Sequence, residues 1–166
     1  MMVVDLSVGA ISSFLTVTSL LVIYSILDIR ERRVPNEYIA AGGVAGGIVI
    51  IITGHFVSNL VLHVTAIAIM FTMSYALFRI GSIGGADAKS LLLVALVSPG
   101  IELRVLNIPV LEAVIGMGGE LIVMLLGGYL YWRFHINDEK SAPPLIPFLL
   151  LGYLAVQLLA LPLGIF

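Results

Sequence analysis

The sequence predicts an all-α polytopic membrane protein, a bundle of about six transmembrane helices forming one domain over residues 1–166. Three observations lead there. The 166 residues are 60% hydrophobic and only 11% charged, with a mean hydropathy of +1.16. Soluble domains carry roughly 25% charged and 45–50% apolar residues, so this chain lacks the polar surface to cover itself in water. Six apolar segments can be marked along it, which use most of the length at about 20 residues per crossing. Finally, the basic residues fall almost wholly between alternate segments.

The segments are Leu6–Leu27, Tyr38–Thr53, Phe56–Phe78, Ala88–Ile101, Ile108–Trp132 and Pro144–Ile165. The first is longer than a signal-peptide core, and Met1–Asp5 before it holds no Lys or Arg, so it reads as a membrane anchor and not as a cleaved leader. The second opens after Pro35 and Asn36, a turn with proline at a helix start. It carries two overlapping pairs of small residues, Gly42/Gly46 and Gly43/Gly47, which predict close helix packing. The third carries Asn59 and His63 one turn apart in its outer half, expected to hydrogen-bond each other or a neighbouring helix. The fourth is short for a full crossing and is bounded by Gly84-Gly85 and Ser98-Pro99-Gly100. Irregular backbone at membrane depth requires protein or a water-filled cavity around it, so the start of this segment is where function is expected. In the fifth, Glu120 lies twelve residues from Trp132, about 18 Å along a helix, which predicts a protonated or hydrogen-bonded packing residue. Glu112, nearer the outside, is expected to be solvated, and Tyr129, Tyr131 and Trp132 form an interfacial belt.

Seven of the eight Lys and Arg (Arg30, Arg32, Arg33, Arg79, Lys89, Arg133 and Lys140) fall in or beside three loops on one side, against Arg104 on the other. That split predicts an external N-terminus and cytoplasmic loops at 28–37, 79–87 and 133–143, in a multi-pass protein of the cell membrane. A net charge of −2 and the lack of a basic run argue against nucleic acid as a partner. With no cysteine, disulfides, iron–sulfur clusters, thiolate zinc sites and a cysteine nucleophile are excluded. Three scattered histidines give no reason to expect a metal, and no cofactor is expected.

Acidic groups at span ends are functional candidates. Asp28 closes the first segment and Asp87 opens the fourth, both on the predicted cytoplasmic side. Two carboxylates at one depth would share a proton, one serving as base and the other as acid. Placement alone favours the plainer reading, two span-end carboxylates beside basic residues. Gly84 and Gly85 remove side chains where an extended substrate could approach, or merely form a loop into a helix. Lys89 could bias Asp87 if the stretch before it is extended; in a helix the two would face apart.

The run Asp28-Ile29-Arg30-Glu31-Arg32-Arg33-Val34-Pro35-Asn36, with Gly84-Gly85-Ala86-Asp87-Ala88-Lys89, resembles the type IV prepilin peptidases, and most nearly their archaeal preflagellin-processing branch. The tail from Lys140 through Pro147-Phe148 to Gly152 is similar to the Pro-Phe segment opening that family's last span. The resemblance implies a membrane-embedded aspartyl protease with Asp28 and Asp87 as the catalytic pair. It further implies Gly84, Gly85, Ala86, Lys89, Pro35 and Asn36 as substrate-binding or supporting residues. Ala86 stands where the pattern most often has glycine. Bacterial relatives add an N-methyltransferase activity linked to paired cysteines in a cytoplasmic loop; with no cysteine here, methyl transfer is expected to be absent. The implied substrates are membrane-inserted prepilin- or preflagellin-like precursors, cut at the cytoplasmic face to remove a short basic leader. The alternative of another class is a small proton-coupled transporter with Asp28, Asp87 and Glu120 as its relay.

Overall fold

The computed structural model describes residues 3–4, 7–102, 104–105, 108–135 and 143–160. Within them the chain is helical: α1 (Val8–Glu31), α2 (Asn36–Ile52), α3 (His55–Ser58), α4 (Leu60–Arg79), α5 (Gly85–Val97), α6 (Pro109–His135) and α7 (Ile146–Ala160). One short antiparallel pairing, β1 (Val3–Val4) with β2 (Arg104–Val105), joins two stretches outside the six predicted segments. The result is a polytopic membrane-type bundle. Three helices are long and apolar enough to cross a bilayer (α1, α4 and α6), while α2 and α7 are shorter apolar helices.

Local chemistry sets the helix ends. The Ser7 hydroxyl accepts the Ala10 N–H at the start of α1, satisfying one of the donors that a helix N-terminus leaves free. That helix ends at Arg32 in the left-handed region (φ 51°), whose N–H donates to the Asp28 carbonyl. Pro35 caps α2, its carbonyl accepting the Tyr38 and Ile39 N–H groups. At the end of α4, Gly81 takes φ 76°, and the N–H groups of Gly81 and Ser82 return to Phe78 and Leu77. This Schellman closure needs a positive φ that glycine adopts without penalty. The third predicted segment is interrupted: Asn59 separates the single turn of α3 from α4, because its φ of −117° and ψ of 32° leave the helical region. The fourth helix of the bundle proper, α5, begins three residues before the predicted apolar run, and residues 161–165 of the sixth segment lie outside those described.

Neighbouring helices close a ring in the order α1, α2, α5, α4, α6, α7, and α5 also reaches across it to α1 and α7. Tyr24, Leu21, Met70, Leu91, Val94, Met117, Ile146 and Leu149 fill the interior. The outward faces carry Ile23, Ile48, Phe71 and Ile122 in the open, as a lipid solvent requires and water would not tolerate on this scale. Of the two glycine pairs on α2, the structure uses one internally. Gly42 lies against Tyr24, whose hydroxyl donates to the Tyr38 carbonyl at 2.8 Å, and Gly46 lies against Val97 of α5. Gly43 and Gly47 meet nothing.

This asymmetry gives a direct test. A methyl at residue 46 would collide with the branched, stiff side chain of Val97, so Gly46→Ala should destabilise the bundle by about 1–3 kcal/mol. Gly47→Ala should be neutral or stabilise, by up to about 1 kcal/mol from helix propensity. Thermal unfolding of both variants in the same detergent checks the contrast, and equal stabilities would contradict the packing.

Candidate active site

Asp28 sits in the last turn of α1, past the apolar run that ends at Leu27, and is 9% exposed. Its Oδ2 accepts the N–H of Ile146 at 3.3 Å, the first residue of α7. Since the first N–H groups of a helix have no partner inside it, α7 presents a ready donor to an anion. One turn beyond, the Arg32 guanidinium is close enough to act on the Asp28 charge.

Asp87 is the third residue of α5, ahead of the apolar run from Ala88. Its Oδ2 reaches back to accept the Gly84 N–H at 2.9 Å, an acidic cap on the helix N-terminus. Burial pushes its carboxyl up to about 6; the Gly84 N–H pulls it down, and the negative charge of Asp28 pushes it up again. The two carboxylates therefore feel one another. Both line a cavity of about 510 Å³. Its wall continues through Gly81–Ala86, the Arg32 and Arg33 side chains, Pro143 and Leu145.

Gly84, Gly85 and Ala86 all line that cavity, so the small-residue run before Asp87 borders the open space. Pro35, Asn36 and Lys89 do not. Lys89 instead donates to the Asn36 side-chain oxygen at 2.6 Å, tying the start of α2 to the first turns of α5. Because Gly85–Val97 is helical from its start, Lys89 and Asp87 face apart, the helical one of the two arrangements open to the sequence. The parts without a sequence signal are those supplied by backbone and by distant chain: the Ile146 N–H, Pro143 and Leu145. Only the prolines around residue 144 hint that a helix N-terminus begins there.

A second polar group lies at the C-terminal end of α5. His55 Nε2 is 3.1 Å from Glu102 Oε2, Ser98 Oγ is 3.0 Å from the Tyr153 hydroxyl, and the Gln157 side chain accepts the Glu102 N–H and donates to the Gly100 carbonyl, each at 2.9 Å. Glu112, expected to be solvated, is buried: its Oε1 accepts the Ile101 N–H at 3.3 Å, because the Pro99-Gly100 turn folds back over α6. Asn59 pairs with His55 at 3.3 Å and not with His63, whose Nδ1 donates to the Leu96 carbonyl of α5 at 2.9 Å. Glu120 is fully buried, neither of its oxygens has a partner among the described residues, and it does not line the Asp28–Asp87 cavity.

Neither the curated proteins nor the solved structures contain a match to this chain. A family profile does match, over residues 15–161, a stretch that holds both aspartates, the cavity and all but the ends of the bundle. The chain belongs to the type IV leader peptidase family.

Proposed function

We propose that the protein is an aspartic endopeptidase that removes the short basic leader of prepilin- or preflagellin-like precursors at the cytoplasmic face of the cell membrane. Asp28 and Asp87 are its catalytic pair. The observation that carries the reading is the shared cavity: two carboxylates from helices far apart in sequence border one space. Membership of a leader peptidase family supports the substrate class.

In this mechanism the pair works with one proton between them. The ionised carboxylate takes a proton from water as its oxygen attacks the scissile carbonyl carbon. The protonated carboxyl donates to the carbonyl oxygen, giving a neutral gem-diol. The carboxyl that took the proton from water passes it to the amide nitrogen, while the other carboxylate takes one from a gem-diol hydroxyl. The C–N bond breaks to an amine and a carboxylic acid, and the pair again holds a single proton. Because the sites are coupled, the apparent pKa values belong to the pair. The glycines at 84 and 85 leave room for an extended substrate backbone beside Asp87. No methyl transfer is proposed.

Asp28→Asn and Asp87→Asn should each lower cleavage of a Lys-Arg-Gly-leader precursor in lipid by about a hundred- to ten-thousand-fold while the fold survives. Substantial residual activity in either folded variant would sink the pair.

The pH profile carries a second expectation. Below the lower apparent pKa both groups are protonated and no base remains; above the upper one the shared proton is lost. With the Asp87 carboxyl pushed up to about 6, kcat/KM should trace a broad bell on the acidic to neutral side, its alkaline limb near that value. Lys89→Met should leave the limbs in place, since its ammonium is engaged by Asn36. Activity that keeps rising through neutral pH contradicts the assignment.

Sidedness is checked by labelling, which the absence of native cysteine makes clean. A thiol reagent that cannot cross the membrane should reach Glu31→Cys only from the cytoplasmic side and Val57→Cys, at the opposite end of the bundle, only from outside. The reverse pattern would move the chemistry to the wrong compartment.

A further inference from the structure

Beside the Asp28–Asp87 cavity runs a second depression of about 230 Å³, between α4 and α5. It is smaller than the roughly 300–1,000 Å³ of small-molecule pockets, and it lies on the outward face of the bundle. Phe71, Ser74, Tyr75 and Phe78 form one side of it. Their spacing is that of a single helical face. Gly85, Ala88 and Leu92 form the other at the same spacing. Two helical stripes thus enclose a groove about two turns, or roughly 10 Å, long.

Its surface is graded. Ser74, Gly85 and Ala88 make a floor of small residues, and the aromatic rings make a wall, Phe71 stacking on Tyr75 with centroids 6.3 Å apart. Lys89, its one charged lining residue, is turned to Asn36. In a membrane, helices associate through close packing over small residues, since lipid supplies no hydrophobic drive between them. A ridge of apolar side chains from another helix fits this floor and wall.

The direction of the groove matters as much as its chemistry. Gly85 lines both spaces, so the groove adjoins the Asp28–Asp87 cavity at the start of α5 and runs from there along α5 to Leu92. We propose that this groove seats the first two turns of the precursor's apolar membrane helix, parallel to α5. The chain just before that helix is thereby delivered, unwound, across Gly84 and Gly85 to the aspartates. The proposal rests on the peptidase reading given above. Under it, Tyr75, Phe78 and Leu92 are specificity-determining residues that distinguish a precursor with an apolar helix from a leader peptide alone.

The test uses the full chain in liposomes with two probes: a synthetic precursor carrying a Lys-Arg-Gly leader on an apolar helix, and a soluble peptide spanning only the leader and cut site. Leu92→Trp, which fills the groove, should raise KM for the membrane precursor by about tenfold, the scale of one lost helix contact in a membrane, with kcat little changed. Tyr75→Ala, which removes a wall without adding bulk, should do the same and covers a misfolded Leu92→Trp. Leu126→Trp, on the exposed face of α6, should alter neither probe. A photo-crosslinking residue at 75 should capture the membrane precursor, and one at 126 should not. Unchanged KM in both folded groove variants, equal capture from 75 and 126, or capture of lipid alone from 75 would overturn the docking proposal. Failure of the unsubstituted protein to cut either probe would instead remove the peptidase reading, and capture from position 75 would still decide whether the helix docks there.

Discussion

A helix of 13 residues is about 20 Å long, and the hydrocarbon core of a bilayer is about 30 Å thick. A helix as short as α5 cannot reach both faces of such a layer, and at apolar depth an uncapped N–H or C=O costs several kcal/mol because lipid has nothing to offer it. Much of the polar architecture answers this constraint. Neighbours on several sides, α4, α2, α1 and α7, keep lipid away from α5. Beyond its C-terminal end, buried side chains do what water would do elsewhere: Glu112 takes the Ile101 N–H, and Gln157 takes the Glu102 N–H while giving its own to Gly100. At its N-terminal end Asp87 takes the Gly84 N–H. Both ends of this short helix are thus met by side chains, and only the N-terminal one borders the 510 Å³ cavity.

The placement of Asp28 depends on a distant seam. Helices α6 and α7 meet through glycines: Gly127 lies against Phe148, Gly128 against Leu145, Gly119 against Val156, and Gly152 against the Glu120 backbone. Each contact sets a bare glycine against the other helix, so the two pack closely. Gly128 bears on Leu145, the residue before Ile146, whose N–H meets Asp28. A glycine on α6 thus bears on the geometry at that carboxylate.

How much of this is readable from sequence follows the range of the interactions. The apolar runs are dictated by composition within each segment, and all six have helical counterparts, because a lipid-facing segment has almost no other way to satisfy its backbone. The break at Asn59 is not legible, since it turns on a single backbone conformation inside a continuous apolar run. Asp28 and Asp87 stand out because charge is rare in such a chain. Glu112 is misjudged for the same reason: a carboxylate near a span end looks solvated until the fold of the Pro99-Gly100 turn over it is known. The pairs His55–Glu102 and Asp28–Ile146 join residues with no periodic relation, so no local pattern announces them. On α2, spacing identifies both glycine pairs but not which of the two faces inward.

The hydrogen bond from Ile146 to Asp28 also has a meaning in time. A chain is made from its N-terminus, so Asp28 and Asp87 are both synthesised well before α7 leaves the ribosome. Until α7 is inserted, the cavity lacks the wall formed by Pro143 and Leu145, and Asp28 lacks its backbone donor. From the making of Asp87 until α7 is inserted, the nascent protein therefore carries both carboxylates with their setting unfinished. The last helix to arrive completes it, so the site is finished only when the insertion of the chain is.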